Sequence, residues 1–113
     1  MLRVRIVFAA LAVALAVVTP AVAHRGATTV FVKAKEFSFT LSTKTGAKTV
    51  VFKVMNVGKL PHDFKISGHK TPLIAPGKSA TLRVNFPVAA KYPYLCTVPG
   101  HAAAGMKGVF TVK

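Results

Sequence analysis

The sequence predicts an all-β domain of seven to eight short strands, an antiparallel sandwich or barrel. Three observations predict it. After residue 27 the apolar residues recur with period two or in short runs, those runs are rich in Val, Phe, Thr and Tyr, and Gly and Pro punctuate them. No stretch carries an extended helical period, and no repeat or low-complexity segment appears.

The strands follow in order. Thr29 to Lys35 places Val30, Val32 and Ala34 on one side, and Phe37, Phe39 and Leu41 continue the alternation on a second run. Thr49 to Met55 sets Val50, Phe52 and Val54 against Val51, Lys53 and Met55, and ends in the turn-forming Asn56-Val57-Gly58. Asp63 to Ile66 is a brief fourth. Pro76-Gly77 makes a turn with proline at its second position, after which Ser79 to Phe86 carries Ala80, Leu82, Val84 and Phe86 on one face. Tyr92, Tyr94 and Cys96 alternate on the next strand, and Gly108 to Val112 is the last. Six prolines lie beyond residue 23, and each is expected between strands or at a strand end.

Residues 1–23 read as a secretory signal peptide. Arg3 and Arg5 precede a 13-residue apolar run from Ile6 to Val18, and Thr19-Pro20 and Ala21-Val22-Ala23 follow it. The run falls short of the roughly 20 residues a membrane-spanning helix needs. An uncleaved anchor is the alternative, and no cysteine is placed for lipid attachment. Cleavage after Ala23 predicts an exported or periplasmic domain, residues 24–113, with 14 basic and two acidic residues and a net charge of +12.

Composition removes whole classes of chemistry. The chain of 113 residues carries 16 Lys and Arg against two acids, Glu36 and Asp63, and one cysteine, Cys96. Paired carboxylates of glycosidases, Walker-type nucleotide sites and EF-hands need more acids than that. One thiol builds no internal disulfide and no Cys₄ or Cys₂His₂ zinc site. A single cysteine in an exported chain is a buried inert thiol, an intermolecular cross-link or a metal-bound thiolate.

Its neighbours favour the metal. In Tyr94-Leu-Cys-Thr-Val-Pro-Gly-His-Ala-Ala-Ala-Gly-Met106, the residues Cys96, His101 and Met106 are spaced by five and five, across a strand end, a Pro99-Gly100 turn and a small-residue loop. A second histidine, His62, ends the segment Asn56-Val-Gly-Lys-Leu-Pro-His62. Two imidazoles and a thiolate form a trigonal donor set, and a more distant thioether completes a blue-copper electron-transfer site. Thiolate and thioether suit Cu(I), imidazole suits both oxidation states, and a rigid cage that changes little between them keeps reorganisation small. Taken singly, Cys96 and Met106 are ordinary core residues and His62 an ordinary turn residue; the shared spacing singles them out.

The run from Cys96 to Gly108 resembles the copper-binding loop of the cupredoxins, in particular the auracyanin, rusticyanin and azurin type. Four residues separate Cys96 from His101 and four more precede Met106, a first gap longer than in plastocyanin. The likeness covers most of residues 28–113, including Ile74-Ala-Pro-Gly-Lys-Ser-Ala-Thr-Leu82. It implies a Greek-key β-sandwich with one type 1 copper that shuttles single electrons, with His62, Cys96 and His101 as equatorial ligands and Met106 axial. One position departs: many members carry Asn after the first His, where this chain has Asp63. A carboxylate there can still accept hydrogen bonds from Thr97 and tie the two ligand loops together.

The remaining polar residues receive plainer readings. Glu36 reads as structural, His69 as solvated, and Tyr92 and Tyr94 as strand residues whose hydroxyls could anchor a corner turn. His24, as a mature N-terminus, offers an amine and an imidazole that can chelate copper. Ala102, Ala103 and Ala104, with Leu60, Pro61 and Pro99, suggest an apolar patch for redox partners, or only a tight loop. Scattered lysines, export and the lack of a stacking array argue against nucleic acid. Partners with acidic docking surfaces, or peripheral contact with an anionic membrane, are expected of a monomeric carrier that is no enzyme. A copper-delivering carrier or chaperone is the alternative, and an inert β-sandwich adhesion module a third reading.

Overall fold

The computed structural model describes residues 9, 10, 12–16 and 26–113; most of the expected leader, its cleavage point after Ala23 and His24 lie outside the described residues. Nine strands form in the order β1 (Thr28–Lys35), β2 (Ser38–Leu41), β3 (Thr45–Gly46), β4 (Thr49–Asn56), β5 (Lys65–Ile66), β6 (His69–Lys70), β7 (Ser79–Asn85), β8 (Lys91–Leu95) and β9 (Lys107–Val112), and no helix appears among the described residues. The two beyond the seven runs named from the sequence are β3 and β6, each of two residues, too short to carry a period of two. The run expected from Asp63 contributes only Lys65 and Ile66 to a strand.

The strands make a sandwich of two sheets, β2-β1-β4-β7 and β3-β9-β8-β5-β6. Both are mixed, which corrects the expectation of wholly antiparallel pairing: β1 lies parallel to β4, with Thr28 opposite Val50 and Ala34 opposite Asn56, and β3 lies parallel to β9. The chain explains it. After β1 it turns back as β2, crosses to the other sheet as β3, and returns beside β1 as β4, and a parallel pair requires such a crossover.

Alternation decides what each strand buries. Val30, Val32 and Ala34 of β1 and Val50, Phe52 and Val54 of β4 face inward, while Phe31, Lys33, Lys53 and Met55 face out. The opposite sheet supplies Ile66, Tyr94, Phe110 and Val112, and Phe64 and Phe86 close the flanks. Phe52 sits at the centre, its ring 5.1 Å from that of Phe64, 5.3 Å from Phe110 and 6.5 Å from Phe86. The last two pairs are edge-on and the first is tilted, and aromatic pairs of this kind add about 0.5–1.5 kcal/mol each to area burial.

Turn chemistry follows the sequence at Pro76-Gly77, where Lys78 N–H donates to Ala75 at 3.0 Å and Gly77 takes φ +78°, a value glycine adopts without strain. Tyr92 hydroxyl donates to the Val88 carbonyl at 2.7 Å and anchors the turn before β8. One proline departs from expectation: Pro93 lies inside β8, opposite Val109. Ala90 is hydrogen-bonded to Val112 of β9 and Cys96 to Met106, the residue just before it, so by strict alternation the nitrogen of Pro93 points away from β9. On that side β5 reaches only as far as Tyr94, and no ladder bond is lost.

Phe52→Ala should lower the unfolding free energy by about 3–5 kcal/mol, because it empties the space between both sheets. Guanidinium denaturation of the variant and the parent checks this; a loss below about 1 kcal/mol would show that the centre of the core lies elsewhere.

Candidate metal centre

Three loops meet at one end of the sandwich. The first carries the chain from β4 to β5 and holds His62. Its frame is Asn56, the last residue of β4, which is fully buried. The Asn56 amide nitrogen donates to the carbonyls of Leu60 at 2.7 Å and Ile74 at 2.8 Å, and its oxygen accepts from Gly58 N–H at 2.9 Å. His62 itself exchanges both backbone bonds with Ile74, at 3.1 and 2.7 Å. The direction of its ring is thereby fixed from two sides.

The second loop joins β8 to β9. Cys96 follows β8 directly and donates its N–H to Met106 at 3.0 Å. Between them the chain turns on Gly100 (φ +83°) and Gly105 (φ +127°), with His101 N–H donating to Val98 and Met106 N–H to the His101 carbonyl, each at 3.1 Å. A side chain at either glycine would strain the turn, and at Gly105 a Cβ would also stand 2.9 Å from the Phe37 carbonyl. The five-residue spacings therefore fold into one tight loop that returns Met106 beside Cys96.

These loops bring together the donors the sequence singled out. His62 Nδ1 and His101 Nδ1 are 3.0 Å apart, and Cys96 Sγ lies 4.0 Å from the former and 3.7 Å from the latter. Two donors about 2.0–2.3 Å from one ion and 120° apart stand roughly 3.5–4 Å from each other, a range that holds both distances to sulfur, while the two nitrogens lie closer than it. His62, Cys96 and Met106 are buried, and His101 keeps 8% of its surface exposed. The three polar donors form a group that could hold a metal ion, and Met106 brings a thioether to the same loop. Burial pushes the Cys96 thiol up from its ordinary range, with the backbone N–H groups of Asp63 and Val98 pulling the other way.

Asp63 stands where the sequence placed it. Its carboxylate accepts from Thr97 N–H at 2.6 Å and from the Thr97 hydroxyl, joining the His62 loop to the Cys96 loop. Glu36 departs from its plain structural reading. From the β1–β2 turn its Oε1 lies 3.0 Å from His62 Nε2 and accepts from Lys59 N–H at 2.8 Å and Leu60 N–H at 2.6 Å. These backbone bonds, with help from His62, hold the Glu36 carboxyl down at about 2. The next residue, Phe37, sets its ring edge-on to His101 at 5.1 Å. The β1–β2 turn is thus a third wall of the site. The scarcity of acids was the one sequence signal that could have pointed to Glu36; Asn56 carried none beyond its place in a turn.

The rim is apolar. Leu60, Pro61, Pro99, Ala103 and Ala104 are exposed around the buried donors, and Phe37 joins them. His69, on the edge strand β6, is exposed and is not in the donor group.

Comparison with known proteins places this geometry. Residues 17–113 match the model of copper-binding proteins of the plastocyanin/azurin family. Auracyanin from Roseiflexus castenholzii, solved after dithionite reduction, superposes with a TM-score of 0.67 at 25% identity over 78% of this chain and 99% of that one. Auracyanin A from Chloroflexus aurantiacus, a blue copper protein, shares the fold with a TM-score of 0.66 at 20% identity over 78% of this chain and all of that one. In sequence, the copper-resistant cuproprotein CopI of Vibrio cholerae is 33% identical over 78 residues, half of this chain and 46% of that protein. Auracyanin-B of Chloroflexus aurantiacus is 43% identical over 42 residues, 37% of this chain and 18% of that protein. The chain spans less than half the length of these sequence relatives.

Asn56→Ala should destabilise the domain by about 1–3 kcal/mol, since it removes the amide that donates to the Leu60 and Ile74 carbonyls and accepts from Gly58 N–H, and so frees the loop that aims His62. Denaturant titration gives the loss, and amide hydrogen exchange should locate the added opening in residues 57–62. Equal exchange in that loop would overturn the role given to Asn56.

Proposed function

Because the chain belongs to the plastocyanin/azurin family of copper-binding proteins, we propose that it holds one type 1 copper ion with His62, Cys96, His101 and Met106 and carries single electrons between redox partners. The convergence of two Nδ1 atoms and one thiol within 4.8 Å, each buried, is the observation that supports this most. Copper bound by this set supplies a one-electron change between Cu(I) and Cu(II). The protein's part is to hold its donors still. Asn56, Asp63 and the Ile74 bridge fix the ligand loops, and the packed interior keeps water from the thiol. Uptake of the ion releases the Cys96 proton, since the thiolate is the ligand.

His101 is the donor that reaches the surface, inside a ring of exposed apolar residues. That rim suits the small, brief contact of an electron-transfer encounter. The domain as a whole is strongly positive, with 14 basic and two acidic residues in 24–113. Partners with acidic docking faces fit this surface, as does peripheral contact with an anionic membrane, for a monomer exported after cleavage at Ala23. The reading involves no substrate turnover.

A second reading has support from the similarity to the CopI proteins of Vibrio cholerae and Pseudomonas aeruginosa, named as copper-resistant cuproproteins. Under it the same site sequesters or delivers copper. Colour and redox cycling separate the two.

Addition of Cu(II) to the purified protein should produce an intense thiolate-to-copper charge-transfer band in the visible, absent from Cys96→Ser. A colourless complex that cannot be cycled with reductant and oxidant would favour the delivery role. The negative charge of Asp63 beside the Cys96 loop should lower the reduction potential, so voltammetry of Asp63→Asn should give a higher value than the parent. Electron exchange with an acidic redox protein should slow as salt is raised past about 0.1 M, where the screening length falls to roughly 10 Å; a salt-independent rate would remove the electrostatic docking.

A further inference from the structure

The Glu36 carboxylate is received in a small cradle. Lys59 and Leu60 present their amides to Oε1, and Gly58 leaves the space beside it: a Cβ there would lie 2.6 Å from both carboxylate oxygens. The side chain is only 20% exposed, and its third contact is the ring nitrogen of a fully buried histidine. Such an arrangement holds one oxygen in one place.

We propose that Glu36 is a positioning residue for the copper site: by accepting the Nε2 proton of His62 it fixes the tautomer that offers Nδ1 to the ion, and its charge favours Cu(II) over Cu(I). This rests on the copper reading given above. Neutral imidazole has one N–H and one lone pair, and an ionised carboxylate can only accept. With Oε1 at 3.0 Å, Nε2 is the nitrogen that carries hydrogen, and the lone pair falls on Nδ1. Nδ1 is the atom that faces His101 and Cys96. A carboxylate on the far nitrogen also raises the basicity of the ligating one. Its negative charge attracts the doubly charged ion more than the singly charged one.

Asp63 acts differently, because both its oxygens are engaged by Thr97 and neither reaches an imidazole. The amides of Lys59 and Leu60 both donate to Glu36 Oε1, so the oxygen that meets His62 is held as an acceptor. The two acids of the chain thus divide the work, one joining the ligand loops and the other orienting a ligand.

The test uses the whole chain and has a metal-free and a loaded arm. In the metal-free wild type, nitrogen-15 NMR of histidine should show His62 as the Nε2–H tautomer; an Nδ1–H tautomer would overturn the proposal. In competition titrations, Glu36→Gln should weaken Cu(II) binding about 10- to 100-fold. Cu(I) binding should weaken about tenfold less, which raises the potential by about 59 mV for one electron. Equal losses for both ions with an unchanged potential would reduce Glu36 to a scaffold and overturn the charge effect. Gly58→Ala, which keeps the acid but displaces it, should move affinity and potential in the same directions and serves if Glu36→Gln does not fold. Failure of the copper reading looks different: the wild type itself would bind no copper or give a colourless complex, whatever the tautomer of His62.

Discussion

Two imidazole nitrogens and a thiol lie within 4.8 Å of one another inside the protein, and the surrounding structure is organised around holding them there. Buried polar atoms do not stay in place by packing alone; each needs a partner, and the partner must itself be fixed. His62 has the Ile74 bridge on its backbone and Glu36 on its ring, Cys96 has Met106 on its amide, and Thr97 next to it has Asp63. None of the buried side-chain nitrogen or oxygen atoms among the described residues lacks a partner. In a chain with 16 bases and two acids, both acids are committed to this one corner.

Rigidity at the site is borrowed from the sandwich. β4 ends at Asn56, β8 ends next to Cys96 and β9 begins after Met106, so the ligand loops leave directly from strands in both sheets. The same strands bury Phe52, Tyr94 and Phe110, the rings that pack the two sheets together. A loop of this kind opens only by breaking strand ends or the Asn56 clamp, and both lie in the stable part of the fold. A type 1 site needs that resistance, because a donor set that does not move between oxidation states keeps the cost of reorganisation low.

What could be read from the sequence divides by distance along the chain. Strands with four or more residues declared themselves through alternation, and Cys96, His101 and Met106 through their spacing, because both signals are local. The parallel pairing of β1 with β4 left no trace in alternation, which says which face is buried and nothing about which strand lies alongside. Glu36 and His62 meet across 26 residues, and the clamp from Asn56 to Ile74 across 18. Such contacts exist only once the sheets have formed. Pro93 shows the limit from the other side: the rule against proline within a strand held for ladder bonds, and β5 is too short to demand one at that place.

The proposed electron carrier keeps its two kinds of charge apart by distance. Basic side chains scattered over the surface act on a partner through solvent, where attraction fades over about 8 Å at physiological ionic strength. Glu36 and Asp63 act through direct hydrogen bonds of 2.6–3.0 Å on the ligand loops and on the buried His62 ring, contacts too short for dissolved ions to screen as they screen the surface charges. Salt therefore has leverage on how fast partners meet and little on how the donors hold the metal. A protein that had used exposed acids to tune its site would have weakened its own approach to acidic surfaces. By turning both carboxylates inward to the ligand loops, this chain leaves its outer field almost wholly positive.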